Sequence, residues 1–137
     1  MTRMIFINLP VKDLDLSTKF YRAIGCQKND QFSDETSSSM IWSETIVFQL
    51  MTHEKFASFI SMPIADAGAA CHALYALSCD SREAVDDTVK AAEASGGRTD
   101  IRDTMDLGWM YNRAFADPDG NVFEAAWMDM SGANVPG

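Results

Sequence analysis

Basic residues are few in this sequence, and they are scattered. Lys and Arg number 11 against 20 Asp and Glu in 137 residues, which gives a formal net charge of −9. Nucleic acids and anionic membranes are bound through basic patches, because each presents a dense array of negative charge. The sequence has no such patch, so neither class of partner is expected.

Long apolar runs and paired cysteines are also missing. No run approaches the roughly 18 apolar residues that a membrane-spanning helix needs, and no signal peptide is recognisable. Cys26, Cys71 and Cys79 are an odd number of cysteines, and their spacing matches neither a zinc site nor a redox pair. We expect reduced thiols in a cytoplasmic protein, with a catalytic cysteine as the alternative. The hydrophobic fraction of 47% suffices for one domain with a sizeable core.

A turn motif and one carboxylate stand out late in the chain. Asp117-Pro118-Asp119-Gly120-Asn121 combines residues that favour tight turns, with φ preset at Pro118 and positive at Gly120. The largely apolar run 122–127 then predicts a buried strand. Glu124 lies inside this run, where an unpaired charge is costly. Its candidate partners are a cation, a metal ion or a substrate group. The alternative is a side chain that forms a salt bridge with a neighbouring residue or turns outward at a strand edge.

The first half of the chain predicts the order β-α-β-β-β. A strand over 4–9 ends at Pro10, and Asp13 caps a helix that ends at Gly25. The helix has an apolar stripe made of Leu14, Leu16, Phe20, Tyr21 and Ile24. An irregular strand over 26–34 then precedes a hairpin. The hairpin strands are predicted over 38–42 and 46–51.

A connector separates this half from the next. Thr52 is placed to cap a short helix over 52–60, and the segment of about 61–71 is rich in Ala with Pro and Gly. We therefore predict a single domain over 1–137, with a first module of about 1–60 and a second module of about 72–130.

The second half predicts the same element order. A strand over 72–78 is followed by a capping-box pattern, in which Asp80 is the cap and Glu83 lies three residues on. The helix would bury Val85, Val89 and Ala92 and end at Gly96-Gly97. Strands are predicted over 98–105 and 108–115, before the strand that holds Glu124. Two such modules are expected to pair and to leave a concave space for a small molecule.

Three motifs carry a resemblance to a known superfamily. They are Asp13-Leu14 followed by Phe20-Tyr21 and Gly25, then Asp80–Asp86, then the 117–121 turn with Glu124. Together they resemble the vicinal oxygen chelate superfamily of glyoxalases, extradiol dioxygenases and bleomycin-resistance proteins, over nearly the whole chain. The runs 6–11 and 53–56 are similar to a branch labelled predicted lactoylglutathione lyases. The resemblance implies an α+β fold of two tandem βαβββ modules, a curved mixed sheet around a cavity, and a homodimer.

The resemblance also implies a divalent metal site. Enzymes of the superfamily bind the metal through His or Glu on the first and last strands of each module. Glu124 matches the last strand of the second module, and Gln49 is the nearest match in the first module. The first-strand positions are Phe6, which cannot bind a metal, and Leu74, with His72 two residues earlier. The implied metal set is therefore Glu124, His72 and Gln49, for Zn²⁺, Ni²⁺, Mn²⁺ or Fe²⁺.

Alternation along the strand over 108–115 offers a second group of candidate residues. Trp109, Tyr111, Arg113 and Phe115 would share one face, where aromatic and cationic groups clamp an anionic or planar ligand. The alternative is a core face with Arg113 paired to Glu124 or another acid. We name Trp109, Tyr111 and Arg113, with Asn8, as candidate ligand-binding residues.

Two functions remain open at this point. The first is a metal-dependent lyase, isomerase or dioxygenase with catalytic Glu124, acting on a substrate with adjacent oxygens. The second is a metal-free protein that sequesters a small molecule, in the manner of bleomycin resistance. A stable metal site needs three or four good donors, and only His72 and Glu124 qualify.

Overall fold

The computed structural model describes residues 1–131. In this part of the chain the elements are β1 (Ile5–Val11), α1 (Leu14–Ala23), β2 (Gln27–Asp34), β3 (Ser37–Ile41), β4 (Ile46–Thr52), α2 (His53–Ala57), β5 (Leu74–Ser78), α3 (Arg82–Ala94), β6 (Arg98–Thr99), β7 (Met105–Asp106), β8 (Met110–Ala116) and β9 (Val122–Met128). No helix within residues 1–131 has the length and apolar character needed to cross a membrane.

The strands form two mixed sheets with the same topology. The first sheet has the order β1-β4-β3-β2, and the second has the order β5-β9-β8-β6, with β7 also pairing with β8. In each sheet the first and last strands run parallel and the other pairs run antiparallel. This confirms the predicted α+β class and the tandem β-α-β-β-β modules.

Several predicted strand ends differ from the structure. Strand β1 continues through Pro10 to Val11, which an edge strand tolerates because one of its sides needs no backbone donors. The strand predicted from 72 begins only at Leu74, so His72 lies before it. The strand predicted over 98–105 is broken into β6 and β7, because the chain leaves the sheet at Asp100, where φ is 52°.

The helix starts follow from capping side chains. Asp13 caps α1 as predicted, because its Oδ1 accepts a hydrogen bond from the Leu16 N–H at 3.1 Å. Thr52 caps α2, which is only five residues long and buries no side chain. The cap of α3 is Ser81 and not Asp80, since the Ser81 hydroxyl accepts from the Ala84 N–H at 3.0 Å.

An aromatic cluster joins the two modules. Tyr21 of α1 packs against Phe48 of the first sheet and Phe123 of the second, with ring centroids 5.4 and 5.9 Å apart. Phe115 stacks on Phe123 at 5.4 Å. Helices α1 and α3 and one face of each sheet therefore enclose a common core. We call the opposite face of each sheet its open face.

The 117–121 turn binds the second module to the first. Asp117 Oδ1 accepts from three backbone N–H groups of the turn, and its Oδ2 accepts from the buried Tyr21 hydroxyl at 2.7 Å. Asp119 accepts from the backbone N–H of Lys12 at 2.9 Å and from the Ser17 hydroxyl at 3.3 Å. Burial, reinforced by the Asp117 carboxylate, raises the pKa of Tyr21 well above its usual value, so its hydroxyl stays a donor.

Candidate functional site

The open face of the first sheet carries a cavity of about 640 Å³. Its lining residues all belong to the first module: Met4, Phe6, Asn8, Asn29, Phe32, Ser39, Ile41, Ser43, Glu44, Val47 and Gln49. Most of the wall is apolar, and Glu44 is the only charged residue of this lining. Phe6 and Phe32 are both more than half exposed, so large apolar surface lies open to a ligand.

Four neutral side chains cross the cavity floor in a line. The strand register places Asn8 beside Gln49, Gln49 beside Ser39, and Ser39 beside Asn29. We call these four residues the polar row. Gln49 Nε2 donates to the Phe32 carbonyl at 3.4 Å and Asn8 Nδ2 donates to the Phe6 carbonyl at 3.2 Å. The row offers donors and acceptors without net charge.

The open face of the second sheet is organised around Glu124. The Glu124 carboxylate pairs with Arg102, and the same guanidinium nitrogen donates to Asn112 Oδ1. The exposed fractions of the Glu124 and Arg102 side chains are 15% and 32%, so the pair is largely shielded from solvent. The sequence prediction that Glu124 has a partner holds, and the partner is a neighbouring basic residue.

Arg102 comes from the loop between β6 and β7, and a second ion pair braces this loop. Arg113 donates to both oxygens of Asp100, with the closest contact at 2.9 Å. Asp100 is the residue with positive φ at the point where the chain leaves β6. The loop thus turns over the edge of the second sheet and places Arg102 on its open face, against Glu124.

The predicted aromatic and cationic clamp lies on the other side of the second sheet. Tyr111 and Arg113 point toward α3, where both donate to Asp86, at 2.8 and 2.9 Å. Trp109 precedes β8 and is 40% exposed. The structure therefore brings none of these three residues to the cavity or to Glu124, and of the predicted ligand-binding residues only Asn8 lines the cavity.

Arg82 fixes this helix-facing side of the second sheet. Its guanidinium lies 4.9 Å from the Tyr111 ring centroid and 5.3 Å from that of Trp127. It also binds both oxygens of Asp106 at 2.8 and 2.9 Å. The Arg82 hydrogen bonds lower the pKa of Asp106 to about 2. These contacts hold β7 against α3.

Comparison with known proteins places the chain in a family. A model of the Glyoxalase/Bleomycin resistance protein/Dioxygenase superfamily matches residues 3–125. The chain belongs to this superfamily. No curated protein matches the chain.

Several solved structures share the fold of this chain. A hypothetical protein, SA1046, from S. aureus has a TM-score of 0.77 and 21% identity, with 93% of this chain and 94% of that chain covered. A glyoxalase/bleomycin resistance protein/dioxygenase family enzyme from Burkholderia phytofirmans PsJN has a TM-score of 0.74, 20% identity and coverage of 93% and 99%. The fosfomycin resistance protein FosX from Listeria monocytogenes has a TM-score of 0.67, 18% identity and coverage of 96% and 97%.

Members of the superfamily commonly use divalent metals, but the donors in this chain do not fit one. Gln49 lies on the first sheet and Glu124 on the second, where Arg102 holds its carboxylate. His72 is exposed and lies outside the sheet. Within residues 1–131 no three His, Cys, Asp or Glu side chains are grouped as metal ligands. Of the implied set of Glu124, His72 and Gln49, the carboxylate of Glu124 is thus held by Arg102, and Gln49 is a poor metal ligand.

Sequence reasoning missed four polar residues of these two faces: Asn29, Ser39, Arg102 and Asn112. Alternation along 26–34 is interrupted by the register shift between Asn29 and Asp34, so no pattern marked Asn29. Arg102 lies in a loop among acidic residues, where periodicity carries no signal. Only the pairing of strands reveals that Ser39 lies beside Gln49.

Proposed function

We propose that the chain binds a small, largely apolar molecule in the first-sheet cavity and that this binding needs no metal ion. The observation that carries the proposal is the apolar cavity of about 640 Å³ crossed by the polar row. Small-molecule sites usually measure about 300–1,000 Å³ and combine an apolar wall with a few orienting polar groups. The first-sheet cavity has both properties.

The polar row restricts the kind of ligand. Asn8, Asn29 and Gln49 carry amides, and Ser39 carries a hydroxyl, so the floor hydrogen-bonds both donors and acceptors. Among residues 1–131, no Lys or Arg lines the cavity to neutralise an anionic ligand. We therefore propose a neutral or weakly cationic molecule, aromatic or aliphatic, with polar atoms along one edge.

Sequestration fits this site better than metal-dependent catalysis does. A metal-dependent lyase, isomerase or dioxygenase mechanism requires free metal donors, whereas Arg102 holds the Glu124 carboxylate and Gln49 is a poor metal ligand. A binding protein requires only an apolar cavity with orienting groups. A role like the bleomycin resistance in the superfamily's name, in which a compound is withdrawn from solution, needs no reacting group in the cavity.

The test is ligand binding measured with and without chelator. A library of neutral aromatic fragments is screened by thermal shift, and the affinity of each hit is measured by calorimetry. We expect binding that EDTA does not change and that Phe6→Ala weakens about 10-fold, since the ring forms part of the wall. Phe59→Ala is the matched control, because Phe59 is a similarly exposed ring outside the cavity. Binding abolished by EDTA, or unchanged in Phe6→Ala, would overturn the proposal.

We also propose that the chain forms a homodimer. Ile5 on β1 and Leu74 on β5 are each more than half exposed, and both strands are sheet edges. Exposed apolar edges are covered in most stable proteins. Light scattering should give twice the mass of one chain, and Leu74→Lys should lower it. A monomeric wild-type protein at micromolar concentration would refute the dimer.

The cytoplasm is the proposed location. Cys26, Cys71 and Cys79 are all free thiols, which a reducing compartment preserves. Burial raises the pKa of Cys26 to about 12, so this thiol is unreactive and a catalytic role for it is not proposed. Thiol titration of freshly lysed cells tests the redox state of all three.

A further inference from the structure

The cluster of Arg102, Asn112 and Glu124 contains polar groups that no neighbour uses. Asn112 is 7% exposed, and its Oδ1 accepts from Arg102. This contact fixes the orientation of the Asn112 amide, whose Nδ2 donates to no residue within 1–131. Glu124 engages Arg102 through Oε2, while its Oε1 has no hydrogen-bond partner in the same part of the chain. Within residues 1–131, two side chains that contact the same Arg102 nitrogen therefore have one donor and one acceptor left unused.

Arg102 occupies the carboxylate that a metal ion would need. Its guanidinium is a cation whose fork geometry suits a carboxylate. The backbone carbonyl of Asp103 holds its other terminal nitrogen at 2.8 Å. A divalent ion at Glu124 would have to displace this built-in cation or lie beside it against charge repulsion. The charges of Arg102 and Glu124 therefore balance each other without a metal ion.

We propose that Arg102, Asn112 and Glu124 form a metal-independent binding site for a carboxamide group. Asn112 Nδ2 donates to the carbonyl oxygen of the ligand, and Glu124 Oε1 accepts from its N–H. Arg102 is the positioning residue that fixes both partners through one nitrogen.

Charge selects the carboxamide over ionic groups. The Arg102–Glu124 pair has no net charge, so the site offers no excess cation for a carboxylate and no excess anion for an ammonium group. A carboxylate would also lack the N–H that Glu124 needs. No residue of this site lines the first-sheet cavity, so the inference stands or falls separately from the proposed function.

The experiment uses the isotopically labelled full chain and follows side-chain resonances by NMR. Acetamide is titrated while the Asn112 amide and the Arg102 Nε–H signals are recorded, and N,N-dimethylacetamide and acetate are titrated in parallel. We expect saturable shifts at both side chains with acetamide in the millimolar range, and shifts at least several-fold smaller with the other two probes. Asn112→Asp, which keeps an acceptor for Arg102 but removes the donor, should weaken acetamide binding about 10-fold.

Controls separate this site from general effects of the probes. Gln31→Glu makes the same change of amide to carboxylate at an exposed side chain that lines neither site, and it should leave acetamide binding unchanged. Asn112→Ala provides a second loss of the donor in case the added charge of Asn112→Asp disturbs the fold, which the dispersion of the backbone spectrum reports.

Four results would overturn the proposal. The first is the absence of saturable shifts at Asn112 and Arg102, and the second is an equal response to N,N-dimethylacetamide or acetate. The third is unchanged affinity in both Asn112 variants. The fourth is the stoichiometric binding of Mn²⁺, detected by selective broadening of the signals around Glu124, because it would show that Arg102 yields the carboxylate to a metal.

Discussion

The open faces of the two sheets differ in charge although the sheets share one topology. On the first, a neutral polar row crosses an apolar cavity. On the second, a shielded ion pair occupies the corresponding last strand. Gln49 and Glu124 lie on equivalent strands, β4 and β9, so an amide on the first face corresponds to a carboxylate on the second.

The second strand of each module explains the rest of the difference. In β2 the register shifts between Asn29 and Asp34, and the irregular segment places the Phe32 carbonyl against Gln49. In the second module the same strand is broken outright, and the inserted loop places Arg102 against Glu124. Irregularities in strands re-aim side chains, and here each supplies the partner of the polar residue on the last strand. Local strand irregularity, more than topology, therefore decides what each face can bind.

The largest expected effect comes from the turn that fixes the modules against each other. A Cβ at Gly120 would lie 2.7 Å from the Gly68 Cα and 2.9 Å from the Ala67 carbonyl, at a φ of +103°. Gly120→Ala should therefore lower the free energy of unfolding by about 3 kcal/mol, from backbone strain together with displacement of the connector. Urea denaturation measures the change.

Gly108 provides the matched control for this substitution. Its φ is +84°, but a Cβ there would meet nothing within 4 Å. Gly108→Ala should lower the free energy of unfolding by only about 1 kcal/mol, because backbone strain is the only cost of the added Cβ. Equal losses in the two variants would show that the contact between turn and connector contributes nothing.

The next prediction compares the stability lost on truncating Arg102 and Phe32, the two residues that the strand irregularities place against Glu124 and Gln49. Arg102→Ala leaves the Glu124 carboxylate unpaired at 15% exposure, and we expect a loss of about 2 kcal/mol, less than a fully buried pair because Arg102 is partly exposed. Phe32→Ala removes a side chain that is 64% exposed, and the loss should stay below about 0.5 kcal/mol. Adding Glu124→Gln to Arg102→Ala should restore part of the stability. A denaturation series in which the Arg102 and Glu124 losses simply add would refute their coupling.

The sequence predicted the fold better than it predicted the site, for physical reasons. Asp13, Gly25 and the 117–121 turn act through local backbone chemistry, which a sequence carries directly. The position of Arg102 depends on where a strand breaks and on which residue lies across the sheet. Periodicity correctly placed Tyr111 and Arg113 on one face of a strand. It could not say that this face packs on α3, because alternation alone does not distinguish the two sides of a sheet.

A smaller effect tests the buried bond between the modules. Tyr21→Phe removes the hydroxyl that donates to Asp117 at 2.7 Å but keeps the aromatic packing. We expect the free energy of unfolding to fall by about 1.5 kcal/mol, since the buried carboxylate loses one of its donors. Tyr75→Phe is the control, because Tyr75 belongs to the same aromatic cluster and its hydroxyl has no hydrogen bond within residues 1–131. Thermal unfolding that cannot separate the two variants would argue against a role for this bond.

The smallest effect is the acid sensitivity of the second module. Arg82 lowers the pKa of Asp106 to about 2, and the Tyr111 hydroxyl and Arg113 lower the pKa of Asp86. A depressed carboxyl pKa contributes stability that is complete above the unfolded value of about 4 and is lost as the pH falls toward the folded value. Hydrogen exchange should therefore accelerate around β7 between pH 4 and 2, after correction for intrinsic rates. The polar row contains no titratable group, so the exchange of β4 should change less over the same range. Asp106→Asn should remove most of the pH dependence at β7, and an unaltered profile in that variant would place its origin elsewhere.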